Sequence, residues 1–297
     1  MTVSWDDMRI FIAVAREGSL SGAGTVLKLD PATVGRRVQR LEESLGTPLF
    51  LKSPQGYAPS EAGERLMPHA EELEQAMLNA EDAVRGQEDR LTGAIRVGAP
   101  DGCANFLLPQ VVERICNAHP GLEVQIVSLP RVFNLNRREA DMAIAVSRPT
   151  AGRLTVQKIT DYHLVLAAHR RWLKQNPVER LEDLRGKRLV GYIPDMIFDK
   201  ELDYLGELGL ERVQLASNSV SVQFAWVKSG AGVGIVHGFA LGSANRVEPV
   251  LSDQVKLRRT FWLVRHADDR RVRRLGRFAE LLCEGLRAEV ERLEAET

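Results

Sequence analysis

The stretch Asp30-Pro31-Ala32-Thr33-Val34-Gly35-Arg36-Arg37-Val38-Gln39-Arg40-Leu41-Glu42-Glu43-Ser44-Leu45 decides the fold of the first part of the chain. Asp30 is a strong N-cap type, and Pro31 suits the first helical position, where a missing N–H costs nothing. Val34, Val38, Leu41 and Leu45 recur at intervals of four, three and four. At about 100° per residue they fill an arc of roughly 60°, which is a buried face. Thr33, Arg36, Arg37 and Arg40 fill a neighbouring arc of about 100°. A helix packed by its valines therefore presents three guanidiniums and a hydroxyl together, as guanine edges and phosphates in a DNA groove require. The alternative for such a face is a solvated cationic surface.

Upstream, Trp5, Met8, Ile12 and Ala15 lie at helical spacing, Phe11 widens the stripe and Gly18 ends it. Ser19 opens a second short helix with Leu20, Ala23 and Leu27 on one face; Gly22 and Gly24 weaken it by up to about 1 kcal/mol each. Two short helices followed by a proline-started basic helix form a helix-turn-helix whose third helix reads the major groove. Downstream, the run from Gly46 to Lys52, the turn Ser53-Pro54-Gln55-Gly56 and a return strand from Tyr57 form a wing.

These segments resemble the LysR-type regulators. The family's Phe-x-Ala-Val-Ala-x-x-Gly-Ser is met by Phe11 to Ser19, its Arg-x-Leu-Glu-Glu-x-Leu-Gly-x-Pro-Leu-Phe by Arg40 to Phe50, and its Thr/Ser-Glu-Ala-Gly by Ser60 to Gly63. At the start of the third helix the chain departs from the usual Ser-Gln-Pro-Ala-Val-Ser-Arg, with Pro31 for glutamine and Gly35 for serine. The expected DNA-binding residues are Ala32, Thr33, Arg36, Arg37 and Arg40 of the helix, with Lys52, Ser53, Gln55 and Tyr57 of the wing.

After Ser60, Leu66, Ala70, Leu73, Met77, Ala80 and Val84 are spaced four, three, four, three and four, a heptad seam off which most of the acidic residues lie. Such a stripe pairs with a partner helix or packs on its own domain. Pro68 is expected to disturb the first turns, and Gly86 to end the helix. The resemblance implies a dimer through this helix, and commonly a tetramer.

From Leu91 onward, strand-like and helix-like segments alternate, as in an α/β fold with mostly parallel sheets. Expected strands are 94–99, 122–127, 142–146, 164–168, 188–193, 213–216, 233–236 and 261–264, with one helix over 103–118. Leu107-Leu108-Pro109, His119-Pro120, Arg138 to Ile144, Ser217-Asn218-Ser219 and Gly230 to Ile235 resemble the LysR-type effector domain, which has the two-lobed fold of periplasmic solute-binding proteins. The architecture expected is a winged helix-turn-helix over residues 1–60, a linker and dimerisation helix over 61–90, and an effector-binding domain of two α/β lobes over 91–297.

Ligands in open α/β sheets bind beyond the carboxyl ends of strands. The positions expected there are Pro100, Asp101, Cys103, Ser128, Ser147, Arg148, Asn218 and Ser219. A helix starting at Ser219 offers free amides to an anion, and Arg148 favours one, so a small carboxylate is the first candidate; Asp101 opposes it. Cys103 near a helix start is either packing or a redox group. Gly230 to Gly234 precedes a strand, the wrong order for a dinucleotide fingerprint. Arg270 to Arg274 and Glu289 to Glu296 read as the solvated face of a final helix.

Composition fits this reading. Forty basic and forty acidic residues cancel, but residues 61–90 carry nine acidic side chains against three basic ones, an acidic segment between two mildly basic ones. Three cysteines, Cys103, Cys116 and Cys283, are too few and too scattered for a disulfide framework or a metal cage. No basic-then-apolar leader and no long apolar run occurs, so a cytoplasmic location is expected, with no membrane partner. The six histidines lack close metal-ligand spacing. No convergent acid, base or nucleophile points to an enzyme, and no cofactor is expected. The expected partners are double-stranded promoter DNA, a small-molecule effector and further copies of the chain.

Overall fold

The computed structural model describes residues 3–53, 56–84, 90–128, 140–150, 152–210, 212–267 and 272–296, the side chains of 75, 78, 79 and 81–84 excepted. The chain divides into two compact units, Met1–Arg90 and Leu91–Thr297. No helix among the described residues is long and apolar enough to cross a membrane.

The first unit holds α1 (Trp5–Glu17), α2 (Leu20–Leu27), α3 (Pro31–Leu45), β1 (Phe50–Ser53), β2 (Gly56–Pro59) and α4 (Glu61–Val84). Asp30 caps α3 as its residue type demands: its carboxylate accepts from Ala32 N at 2.9 Å and Thr33 N at 3.3 Å. Val34, Val38 and Leu41 are buried against Ile10, Phe11, Val14 and Phe50. Leu45 departs from the expected buried face. It ends the helix before left-handed Gly46 and stays 39% exposed. In α2, a Cβ on Gly24 would sit 2.7 Å from the Leu29 carbonyl oxygen, so glycine there admits the tight connection to α3. The hairpin β1–β2 is tied to the end of α1 by Tyr57 N donating to Gly18 O at 2.8 Å.

Ser60 caps α4 by accepting from Gly63 N at 3.1 Å, while its hydroxyl donates to Pro48 O at 2.7 Å. The helix runs through Pro68 unbroken. The expected seam divides along its length. Ala70 is fully buried in the core of its own unit, which leaves it no surface for a partner helix, and partly buried Leu66 packs on the same core. The cause is α1, which lies against α4 and pairs Arg16 with Glu74 at 2.8 Å. Leu73 and Met77, 46% and 41% exposed, remain free of that core, and Ala80 is exposed. The Val84 side chain and Gly86 lie outside the described residues.

The second unit runs β3 (Gly93–Ala99), α5 (Asp101–Phe106), α6 (Leu108–Ala118), β4 (Leu122–Ser128), β5 (Met142–Ala145), β6 (Leu154–His169), α7 (Arg170–Gln175), β7 (Leu189–Gly191), β8 (Leu215–Ala216), α8 (Val220–Ser229), β9 (Val233–His237), β10 (Val247–Pro249), β11 (Lys256–His266) and α9 (Arg273–Ala295). The sheet order is β4-β3-β5-β11-β6-β9-β7-β8, with β10 on β6. Parallel pairs occupy both ends: β4–β3–β5 in one lobe, β9–β7–β8 in the other. The expectation of mostly parallel pairing fails at the centre, where long β6 and β11 run antiparallel and join the lobes. The single helix expected over 103–118 is two, because Pro109 has no N–H to continue the ladder past Leu107. The final helix is not simply solvated either: Glu289 is buried between Arg114 and Arg292, and Arg274 donates to Thr92 O and Ala94 O. Arg270 and Arg271 lie outside the described residues.

A Cβ on Gly63 would overlap the Leu49 carbonyl oxygen, a backbone atom that cannot rotate away. Gly63→Ala is therefore expected to destabilise the first unit by about 1–3 kcal/mol despite the better helix propensity of alanine. Urea unfolding of the full chain checks this; a gain in stability would contradict the packing described.

Candidate nucleic-acid interface and effector cleft

The third helix sorts its arginines by what faces them. Asp7 is buried in α1, where it accepts from Arg40 Nε at 3.0 Å and from the Ser4 hydroxyl at 2.8 Å. Burial alone would raise its carboxyl pKa, but the hydrogen bonds from Arg40 and Ser4 and the charges of Arg40 and Arg37 together hold it below the ordinary value. Arg37 pairs with Asp6 at 3.3 Å. Arg36 is exposed and has no carboxylate partner among the described residues; its Nη2 donates to Thr33 Oγ1 at 3.1 Å. The expected contact set is thus split. Arg36, Thr33 and exposed Ala32 are presented outward, whereas Arg40 and Arg37 also lock α3 to α1. At Gly35, where the family usually has serine, a Cβ would come within 3.2 Å of Leu20 Cδ1, a close contact that this side chain would have to yield to. On the wing, Lys52 Nζ lies 5.8 Å from the Tyr57 ring centre, and Ser53 is exposed. Gln55 lies outside the described residues.

In the second unit, the structure brings together some of the expected effector residues and separates others. Pro100 and Asp101 follow β3 and start α5. The Asp101 carboxylate reaches the N-terminus of α8, where its Oδ2 accepts from Ser219 Oγ at 3.3 Å, Ser221 N at 3.0 Å and Ser221 Oγ at 3.2 Å. Ser219 also caps α8 by accepting from Val222 N at 3.4 Å. The helix N-terminus expected to take a ligand carboxylate thus already holds one from this chain. Ser147, after β5, donates to Asp199 of the opposite lobe. Arg148 is exposed and lies 5.6 Å from the Trp262 ring centre. Ser128 is exposed beside Ala99 at the end of β4, and Asn218 is half-buried ahead of α8. Cys103 is fully buried, and burial pushes its thiol well above the usual range, which favours packing over redox chemistry.

A cavity of about 270 Å³ opens in the second lobe beyond the end of β7, among Tyr192, Asp203, Tyr204, Leu205, Gln223 and Ile235. None of the eight expected effector residues lines it. Beside it, Arg259 is buried, pairs with Glu201 at 3.0 Å and with Glu207, and lies 5.7 Å from the Tyr204 ring centre. Tyr162, buried at the middle of β6, stacks on Phe261 and His237 at centroid distances of 4.1 and 5.5 Å. Burial brings the His237 pKa down to about 3, so the ring is neutral. Tyr192 could have been found from the sequence. It follows directly on β7, but reading that strand as far as Ile193 hid it.

A winged helix-turn-helix and a two-lobed α/β unit on one chain define the class: a DNA-binding transcription regulator that responds to an effector. Residues 5–64 match the family model "Bacterial regulatory helix-turn-helix protein, lysR family", and residues 88–287 match "LysR substrate binding domain". The chain belongs to the LysR family of transcriptional regulators. It is 26% identical over 248 residues to the HTH-type transcriptional activator TtdR of Escherichia coli K12, covering 78% of each chain. It is 30% identical over 166 residues to the Mau operon transcriptional activator of Paracoccus denitrificans, 55% of this chain and 58% of that one. Among solved structures, a Corynebacterium glutamicum OxyR C206 mutant superposes with a TM-score of 0.71 at 19% identity, over 100% of this chain and 96% of that one. CrgA of Neisseria meningitidis gives 0.59 at 22%, over 96% and 99%. Full-length CbnR in complex with its target DNA gives 0.58 at 17%, over 95% and 100%.

Asp7→Asn is expected to lower stability by ~2 kcal/mol at neutral pH, since it removes the charge that Arg40 and Ser4 hydrogen-bond. A depressed carboxyl pKa gives stability that is complete above the unfolded value, about 3.9, and is lost as pH falls through the folded value. The stability difference between wild type and Asp7→Asn should therefore shrink as pH drops below about 4. Parallel acid-unfolding curves for the two proteins would refute the pairing.

Proposed function

We propose that the chain binds promoter DNA sequence-specifically as a dimer and that a small effector between the two lobes of its second unit changes this binding. The observation that carries the DNA reading is Arg36 with Thr33 on the outward arc of α3, free of the carboxylates that engage Arg37 and Arg40. Arg36 reads base edges from the major groove, Ala32 and Thr33 approach the same groove, and Lys52, Ser53, Gln55 and Tyr57 of the wing contact the backbone. CbnR, a structural neighbour, is complexed with its target DNA. The protein acts in the bacterial cytoplasm and is not an enzyme.

Arg36→Ala is expected to weaken binding to the cognate site by about 1–3 kcal/mol while leaving affinity for random duplex nearly unchanged. Lys52→Ala should weaken both alike. Fluorescence anisotropy with the two duplexes at physiological salt distinguishes them. Equal losses on both duplexes for Arg36→Ala would assign it to phosphate instead.

The dimer forms through the distal part of α4, with Leu73, Met77, Ala80 and Val84 as its seam and Leu66 and Ala70 kept for the unit's own core. Paired protomers place their recognition helices in successive major grooves, and dimers assemble further into tetramers. Leu73→Glu should lower the assembly state in light scattering without changing the melting of the first unit, because Leu73 lies outside that core. Unchanged assembly in Leu73→Glu, Met77→Glu and the double variant would exclude this seam.

A further inference from the structure

The cavity beyond β7 is built by the second lobe alone. Every described residue that lines it falls between Val190 and Ile235: the end of β7, the segment from Tyr192 to Val213, Gln223 of α8 and Ile235 of β9. Its walls are fixed from outside. Buried Arg259 donates to the Glu201 carbonyl at 2.9 Å and pairs with Glu207, so it holds both ends of the segment that carries Leu202, Tyr204 and Leu205. Within that segment Asp203 accepts from Gly206 N at 3.1 Å. At the end of β7, Gly191 lets Leu205 approach, since a Cβ there would lie 2.7 Å from Leu205 Cδ1. Tyr192 and Tyr204 meet edge to face with 5.7 Å between ring centres, so they form one wall with no gap between the rings. A space held in this way is preformed, and a ligand that enters it has little to order.

The chemistry of the lining is narrow. Apart from the tyrosine hydroxyls, only Asp203 and Gln223 bring polar side chains to it, and no described lysine, arginine or histidine does. Asp203 is exposed to water. Gln223 is only 3% exposed; its Nε2 donates to Ser217 O at 2.7 Å, and no described group donates to its Oε1. A buried acceptor without a donor is unfavourable, so a donor that arrives with a ligand is favoured there. A ligand carboxylate would lose its hydration with no cation to meet it. An ammonium would find only Asp203, where water screens the pair.

We propose that this cavity is a second small-molecule site, separate from the effector position between the lobes, and that it takes an uncharged aromatic compound whose single hydroxyl or N–H donates to Gln223 Oε1. The aliphatic walls, Val190, Ile197, Leu205, Val213 and Ile235 among them, cover the apolar body of such a compound. A cavity of roughly 150 Å³ holds benzene, so 270 Å³ accommodates a substituted ring. Asp199, which accepts from Ser147 of the other lobe, lies on the segment between Ile197 and Leu202 and does not line the cavity. The site therefore adjoins the inter-lobe contact in sequence without sharing its residues.

Thermal shift and calorimetry on the full chain at neutral pH and matched ionic strength test the assignment with four probes: 4-ethylphenol, 4-ethylanisole, 4-ethylbenzoate and 4-ethylbenzylamine. The phenol should stabilise the protein and bind about fivefold or more tightly than the anisole, which keeps the ring but has no donor. It should exceed the acid and the amine by at least about tenfold. Gln223→Met, of similar length, should bring the phenol down to the affinity of the anisole and leave the anisole bound, which shows that the cavity is still formed. Asp101→Asn, in the cleft and outside the cavity lining, should change neither affinity. Preference for the acid or the amine, equal binding of phenol and anisole, binding of none, a phenol preference unchanged in Gln223→Met, or loss of binding in Asp101→Asn would each overturn the proposal. The wild-type comparison of phenol with anisole decides the matter even if Gln223→Met does not fold. The effector reading is judged separately, by promoter binding.

Discussion

Both lobes of the second unit are built onto one antiparallel ribbon, β6 against β11, paired from Leu154 opposite His266 to Val165 opposite Lys256 with a register shift at Phe261 and Trp262. One lobe adds its strands through β5 to β11, the other through β9 to β6. The ribbon's inner face is closed by Tyr162 stacked on Phe261, and α9 braces its other side: Arg287 donates to Ile159 O, and Glu294 accepts from His163 N. Any change in the relation of the lobes passes through this ribbon. Pairing strands this far apart in sequence carries a loop-closure cost that the packing of the chain between them helps to offset, so the ribbon couples the two lobes.

Across the front of the ribbon, each lobe offers one carboxylate to the other's serine: Asp101 reaches Ser219 and Ser221, and Ser147 reaches Asp199. A ligand alters the balance between lobe arrangements only by binding one more tightly than the other. These hydroxyl–carboxylate contacts are what a ligand entering the cleft must exchange for contacts of its own. The first unit uses a carboxylate differently. Buried Asp7 fixes Arg40 and the register of α3 on α1, leaving Arg36 free to face outward.

Most of the first unit is legible in the sequence because its signals are local. The Asp30 cap, the Val34, Val38 and Leu41 face and the glycines at 18 and 46 act within a few residues. The heptad stripe of α4 is a weaker guide, since an apolar stripe states that it is covered but not by what; Leu66 and Ala70 are covered by their own unit. In the second unit, β6 and β11 are longer than their apolar runs because Lys158, Asp161 and Arg258 interrupt the pattern. These charges pair within and across the two strands, so the ladder continues. The cavity was hidden for another reason. Tyr192, Asp203, Tyr204 and Gln223 come from separate loops and a helix, and no periodicity joins them.

Placement of Asp101 shows both the reach and the limit of sequence reading. The rule that ligands gather beyond strand ends led to Asp101, Ser147 and Ser219, which lie where the two lobes hydrogen-bond to each other. That the carboxylate fills the helix N-terminus is a consequence of packing. The central claim, a regulator that reads DNA with paired α3 helices, is tested most directly by DNase footprinting of the full chain on DNA upstream of its own gene. The account predicts two protected stretches whose centres are separated by whole turns of the duplex, about 10 base pairs or a multiple of it, in an imperfect palindrome. Protection no different from that of random-sequence DNA at the same salt concentration would contradict it.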